Sequence, residues 1–242
     1  MGRRPGVRVS IAARDVGTGR TVYAGGALYV SASVVKLEIL AALLLQRPAP
    51  EARERELAAA MVERSDNEAA GALWRSIGGS AGLDAASRRF GLTRTVGGDG
   101  GWWGLTRTTA ADQLALLRGV YGDAPSPLTP AARAYVQERM ARVVGTQRWG
   151  VSAAGESTAG LKNGWMPRAA TGLWVVHSAG RVTARGRPYL LAVLSDGHPG
   201  RDEGIAAVER AARAAVSALR ARSRSGGREA GSGGREAAGI SP

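Results

Sequence analysis

The stretch "SVVKLEILAALLLQ", residues 33–46, constrains the fold more than any other. Its apolar residues fall on nearly every side of a helical period, so as a helix it has no face to give to water and must be buried all round. Other elements have to enclose it. A lysine, Lys36, is nevertheless written into its first turn, three positions after Ser33.

The enclosing elements can be read along the chain. "VRVSIAAR" and "RTVYAGG" alternate as two strands joined by the Gly-rich turn "DVGTG". After the buried helix, "PEARERELAAAMVER", "NEAAGALWRSIGG" and "SAGLDAASRRFG" read as helices punctuated by Pro and Gly. "LTRTVGGDGGWWGLTR" is a loop. "TTAADQLALLRGVYG" and "TPAARAYVQERMARVVGTQ" are again helices, the second with Thr129 as N-cap and Pro130 at the first helical position. Strand patterns return in "TAGLKNGW", "TGLWVVHSAG" and "PYLLAVLSDG", and "DEGIAAVERAARAAVSALR" is an amphipathic helix.

The order is therefore two strands, many helices, about three strands and one helix. It predicts an α+β fold of two lobes, with an antiparallel sheet formed from both chain ends and an all-α lobe inserted between them. The expected domain is 1–222, with the sheet lobe at 7–30 and 150–222 and the helical lobe at 31–149. Residues 223–242 are Gly/Ser/Arg-rich and are expected to be a disordered tail. A cleft between sheet and lobe is a natural place for a site.

Composition removes several function classes. There is no cysteine, so disulfides, thiolate metal ligands and thiol catalysis are excluded. Two histidines without cysteine argue against a zinc site, and no cofactor is expected. The net charge of +13 comes from scattered arginines without interleaved aromatics, so no nucleic-acid partner is expected. The run "ILAALLL" is too short to span a bilayer. No apolar segment follows the basic N-terminus, so the chain as written reads as cytoplasmic, and a monomer is expected.

Of 33 basic residues only Lys36 and Lys162 are lysine. Ser33 and Lys36 lie on one helix face, within reach of each other. A partly buried ammonium has a lowered pKa and can shed its proton, and arginine cannot. Neutral Lys36 could then take the proton of Ser33, although the same spacing also fits a lysine that merely snorkels. Ser65-Asp66-Asn67 precedes a helix and equally fits a helix cap. Lys162-Asn163-Gly164 enters the returning sheet. "GGSAG", with Asp196 and His198, matches a hydrolase triad pattern in the wrong context, after a helix, so Ser80 is expected as an N-cap. His177, in an apolar strand, is expected to be structural.

S-x-x-K, S-D-N and K-x-G occur in that order, each on the element it needs, over about residues 7 to 220. This triple resembles the penicillin-recognising serine enzymes, the class A β-lactamases and penicillin-binding proteins. The helices after S-D-N and the Thr-Thr helix start in "TRTTAADQLALL" look like that family too. The resemblance implies Ser33 as the acylated nucleophile, Lys36 as its base or proton relay, and Ser65 as proton shuttle to the leaving nitrogen. It implies Asn67 as a holder of the substrate amide and Lys162 as the carboxylate-binding charge beside Ser65. Ser33 and Trp165 would supply oxyanion-hole N–H groups, and Gly164 would let the substrate lie against the strand. The substrate would be a small molecule or peptidoglycan-like. The family usually works outside the cytoplasm, so an exported precursor with an upstream start is the alternative for compartment.

Two departures stand out. Asn163 replaces the family's hydroxyl residue, where its amide could still donate to a substrate carboxylate. The loop that carries the deacylating glutamate in class A enzymes has no glutamate here, and none occurs between Glu68 and Glu138. Asp99 is its only carboxylate, and a turn role is expected for it. Trp102 and Trp103 either line the cleft or cover the lobe junction. The expectation is a weak or atypical class A β-lactamase working through an acyl-Ser33 intermediate. The alternatives are a D-alanyl-D-alanine carboxypeptidase-like enzyme or esterase, and a non-catalytic binder with the same fold.

Overall fold

Strand pairing joins the two ends of the chain. In the computed structural model, which describes residues 6–122 and 125–225, β1 (Arg8–Asp15) and β2 (Thr21–Ala24) form the first hairpin. A second short strand pair follows, β3 (Tyr29–Val30) with β4 (Arg107–Thr108). Between and after them lie α1 (Val35–Gln46), α2 (Ala52–Glu63), α3 (Asn67–Ser76), α4 (Gly79–Phe90), α5 (Ala110–Tyr121) and α6 (Pro130–Ala141). The chain returns through β5 (Ser157–Pro167), β6 (Trp174–Ala184) and β7 (Arg187–His198) and closes with α7 (Arg201–Ser225). The five-stranded sheet runs β2-β1-β7-β6-β5, antiparallel throughout.

β7 is central, and its alternation builds two cores. Leu190, Ala192 and Leu194 join the core of the helical lobe, whereas Tyr189, Leu191 and Val193 join the core under α7. A strand covered on both faces reads as the unbroken run "YLLAVL". α7 covers one face of the sheet, and α5 and the helical lobe cover the other. At the centre of that lobe, α1 buries every residue from Val35 to Leu44. Truncating one of its leucines would cost about 2–5 kcal/mol.

Local chemistry fixes the ends. Thr129 caps α6, accepting from the Ala132 N–H at 3.2 Å, with Pro130 next to it. Three boundaries differ from the sequence reading. α6 stops at Ala141, short of Gln147. The N-cap of α4 is Gly78, and Ser80 lies inside the helix. There the α3–α4 junction takes two left-handed residues in succession, Gly78 (φ 89°) and Gly79 (φ 63°), which starts the helix before Ser80. Helix α7 continues through Ser225, and the expected tail from 226 on lies outside the described residues. Among the described residues, no helix is long and apolar enough to cross a membrane.

Candidate active site

The S-x-x-K motif straddles a change of helix type. Ser33 lies in a 3-10 turn, Ala32–Val34, that leads into α1, and Lys36 is the second residue of α1. The preceding Ala32 has φ 46°, and Ser65 has φ 58°; with Arg185 these are the described non-glycine residues in the left-handed region. That backbone conformation is costly for a residue with a Cβ, and two such residues flank this one site.

S-D-N serves as cap and site at once. Asp66 is the N-cap of α3 and accepts from the Ala69 N–H at 2.7 Å. That fixes the residues on either side of it. Lys36 Nζ donates to Ser65 O (2.7 Å), Ser65 Oγ (3.1 Å) and Asn67 Oδ1 (2.8 Å). From the opposite side Lys162, on β5, donates to the same Ser65 Oγ at 3.1 Å and to Asn163 O at 2.9 Å. One hydroxyl thus bridges two buried amines.

Burial sets their electrostatics. It pushes Lys36 down to about 7, against the opposing pull of Asp66. It pushes Lys162 well below its ordinary value, and the charge of Lys36 adds to the effect. Near neutral pH the Lys36 amine is therefore available in its neutral form, which can accept a proton. His177 is also buried and held down to about 4. Its ring joins Val30 O (2.8 Å) and the Ser195 N–H (3.1 Å), a structural pairing as expected.

Ser33 lines a cleft of about 380 Å3 with Asn67, Trp102, Trp103, Trp165 and Met166. Ser31 does not open into it: that side chain is buried, and its hydroxyl donates to Ala32 O at 3.2 Å. Among the described residues, Ser33 Oγ makes no hydrogen bond, and the three Lys36 hydrogen bonds go to Ser65 and Asn67. Gly164 meets the Ser33 turn directly, since a Cβ on it would stand 2.7 Å from both the Ser33 and the Val34 nitrogen. The edge strand β5 and the serine turn are therefore in backbone contact.

Asn163 differs from expectation. Its Nδ2 donates to Gln147 O (2.8 Å) and Trp149 O (3.0 Å), and the side chain is fully buried. It fastens the segment before β5 to the strand, and neither amide hydrogen is left for a substrate. Asp99 is exposed and does not line the cleft. Ser80, Asp196 and His198 form no triad: Asp196 pairs with Arg8, His198 with Ser195 Oγ at 2.9 Å, and Ser80 lies in α4.

Sequence reasoning left the tryptophans undecided and missed what one of them does. Trp102 and Trp103 both line the cleft, and Trp103 also packs on the helical core. The Trp103 ring lies 4.7 Å from Lys36 Nζ, a cation–π distance. Arg201, at the start of α7, stands 5.5 Å over the Trp165 ring. Neither pairing has a signature in sequence spacing.

An all-α lobe set against a five-stranded antiparallel sheet, with an edge strand laid on a serine turn, defines a β-lactamase-like serine hydrolase. A model of the β-lactamase enzyme family matches residues 45–219, and the chain belongs to that family. The match begins after Ser33 and Lys36. Among solved structures, a variant of PBP-A captured as an acyl-enzyme with penicillin G is 21% identical, with TM-score 0.75, covering 90% of this chain and 92% of that one. The class A β-lactamase from Mycobacterium abscessus is 20% identical, with TM-score 0.71, covering 88% and 94%. A variant of the ancestral class A enzyme of Gram-negative bacteria is 21% identical, with TM-score 0.72, covering 89% and 94%. A comparison with curated protein sequences finds no match.

Proposed function

We propose that the protein forms a covalent acyl-Ser33 intermediate with a β-lactam or a related amide or ester, and releases the acyl group slowly. The observation that carries this reading is the meeting of Lys36 and Lys162 on Ser65 Oγ, 3.1 Å from each, beside the cleft that Ser33 lines. In this reading Ser33 Oγ attacks the carbonyl carbon while neutral Lys36 takes its proton. The developing oxyanion is met by the N–H groups of Ser33 and Trp165. When the tetrahedral intermediate collapses, the carbon–nitrogen or carbon–oxygen bond breaks. The proton passes from Lys36 through Ser65 Oγ to the leaving atom. Lys162 holds the substrate's anionic end, and Asn67 its amide.

Slow release follows from the cleft lining, which among the described residues contains no carboxylate and no histidine. Water then has no ready base where class A enzymes resemble one another in supplying a glutamate. A non-catalytic binder of the same fold fits less well, because two buried lysines are costly to keep without a proton-transfer role.

Incubation with a fluorescent penicillin, and separately with an activated ester, tests the reading by intact mass and peptide mapping. The expected result is an adduct on Ser33 that persists for hours. Absence of any adduct on Ser33 with either donor overturns it.

A further inference from the structure

The cleft does not end at Met166. Three of the four chain segments that line it go on, two residues away, to line a second cavity of about 490 Å3. Ala32 gives way to Val30, Leu105 to Arg107 and Met166 to Arg168. Residues two apart in sequence lie within about 7 Å of each other, whatever the local backbone. The two cavities therefore adjoin along these three segments, and they are read as successive parts of one groove at the end of β5.

The two parts differ in charge. No charged side chain lines the part at Ser33. The far part carries Arg8, Arg107 and Arg168 against one carboxylate, Asp196. Arg8 already engages that carboxylate through both Nε and Nη2. Arg107 and Arg168 are left without a carboxylate partner among the described residues. Their backbones are pinned. Arg107 exchanges hydrogen bonds of 2.9 Å with Val96 in both directions, and Arg168 donates to Leu173 O at 2.8 Å and accepts from Thr171 N at 3.0 Å. Two guanidiniums without a carboxylate partner, both on the lining of this part of the groove, can each donate to an anion held there.

The chemistry proposed above sets the direction of a substrate in the groove, and the present inference rests on it. Ser65 supplies the leaving group's proton, so the leaving group lies on the Lys162 side of Gly164. The acyl part then runs the other way along β5, past Trp165 and Met166. From Gly164 to Arg168 is four residues, about 13 Å of extended chain. We propose that this groove selects acyl donors whose acyl tail ends in a carboxylate, held by Arg107 and Arg168.

The test uses thiophenyl esters of matched length, with a six- to ten-carbon acyl chain ending in methyl or in carboxylate. The leaving group is the same, and the rate of Ser33 acylation is followed by mass. At low salt the carboxylate-ended ester should react about tenfold faster, the worth of one good charge-assisted contact. In the R107Q/R168Q double variant the ratio should fall to about one. A ratio of one in the wild-type chain, or a preference that survives in the double variant, overturns the proposal. If neither ester acylates Ser33, the serine-enzyme reading fails, and binding of the free dicarboxylic acid monoamide decides the groove instead. Tryptophan fluorescence reads that binding. Loss in the double variant supports the proposal, and absence in the wild-type chain overturns it.

Discussion

Gly164 on β5 and Ser33 on the turn before α1 meet backbone to backbone. A Cβ at Gly164 would stand 2.7 Å from the Ser33 nitrogen. The obstructing atoms are main chain, so no rotamer relieves the clash, and Gly164→Ala must push the strand away from the nucleophile. The expected outcome is a fall of about 100-fold or more in Ser33 acylation, with the far-UV circular dichroism unchanged. Acylation at the wild-type rate would mean that this contact positions nothing.

Acylation should follow the protonation of Lys36. Burial lowers its pKa to about 7, and a base must be neutral to accept a proton. The acylation rate should therefore rise with pH, reach half its maximum near pH 7 and level off above. Lys36→Arg keeps a charge at every working pH and should abolish the rise along with most of the rate. The stability linkage has a definite sign, because the folded pKa is depressed. The contribution of this group is complete above the unfolded value of 10.5 and is lost as pH falls through about 7. Rate against pH, measured on both proteins, checks the first claim. Thermal unfolding across the same range checks the second.

Glu38 predicts the opposite slope. It is buried two residues beyond Lys36, and its Oε1 accepts from Gln113 Nε2 while Oε2 finds no partner. Burial pushes its pKa up to about 8, against the Gln113 hydrogen bond and with help from the charges of Asp112 and Asp84. A carboxyl raised above its ordinary 4.5 stabilises the fold as the acid, and that stability is lost as pH rises toward 8. Glu38→Gln mimics the acid. It should match the wild-type melting temperature at pH 4.5 and exceed it by about 5 °C or more at pH 8.5. Equal melting temperatures at pH 8.5 would refute a strained buried carboxylate.

Asn163 is a fastener, and its removal should register in stability. Asn163→Ala leaves the part-buried Gln147 carbonyl without this donor and the Trp149 carbonyl with only Ser178 Oγ, at 3.5 Å. The expected cost is about 1–3 kcal/mol by denaturant unfolding. An unchanged unfolding midpoint would return Asn163 to the cleft as a substrate donor.

These cases mark what the residues revealed in advance. The doubly covered β7 and the all-round apolar α1 were legible because burial writes itself into hydrophobic period. Ser33, Lys36 and Ser65 were singled out by the family resemblance, because local rules fitted a snorkelling lysine and a helix cap as well, and the cap of α3 is Asp66. The two-residue strands β3 and β4 were not, since two residues cannot display a period. Asn163 was misread because its direction depends on Gln147 and Trp149, which reach it through the fold and not through spacing. The Trp103–Lys36 contact was hidden for the same reason: a loop and a helix meet there across 67 positions.

That contact offers the sharpest test of slow release. The Trp103 ring occupies the space 4.7 Å from Lys36 Nζ, beside a cleft whose described lining has no carboxylate. Trp103→Glu would put an anion there, in reach of a water approaching the acyl carbon. A positioned general base contributes about 100-fold or more, so the acyl-Ser33 species should decay correspondingly faster. The same anion would favour the charged form of Lys36, moving the rise in acylation to higher pH. Trp103 also packs on the helical core, so the comparison must be with Trp103→Gln, which loses the same packing without gaining a base. Time-resolved intact mass after a penicillin pulse measures both half-lives. If the two variants hold the acyl group equally long, a missing base is not what slows its release.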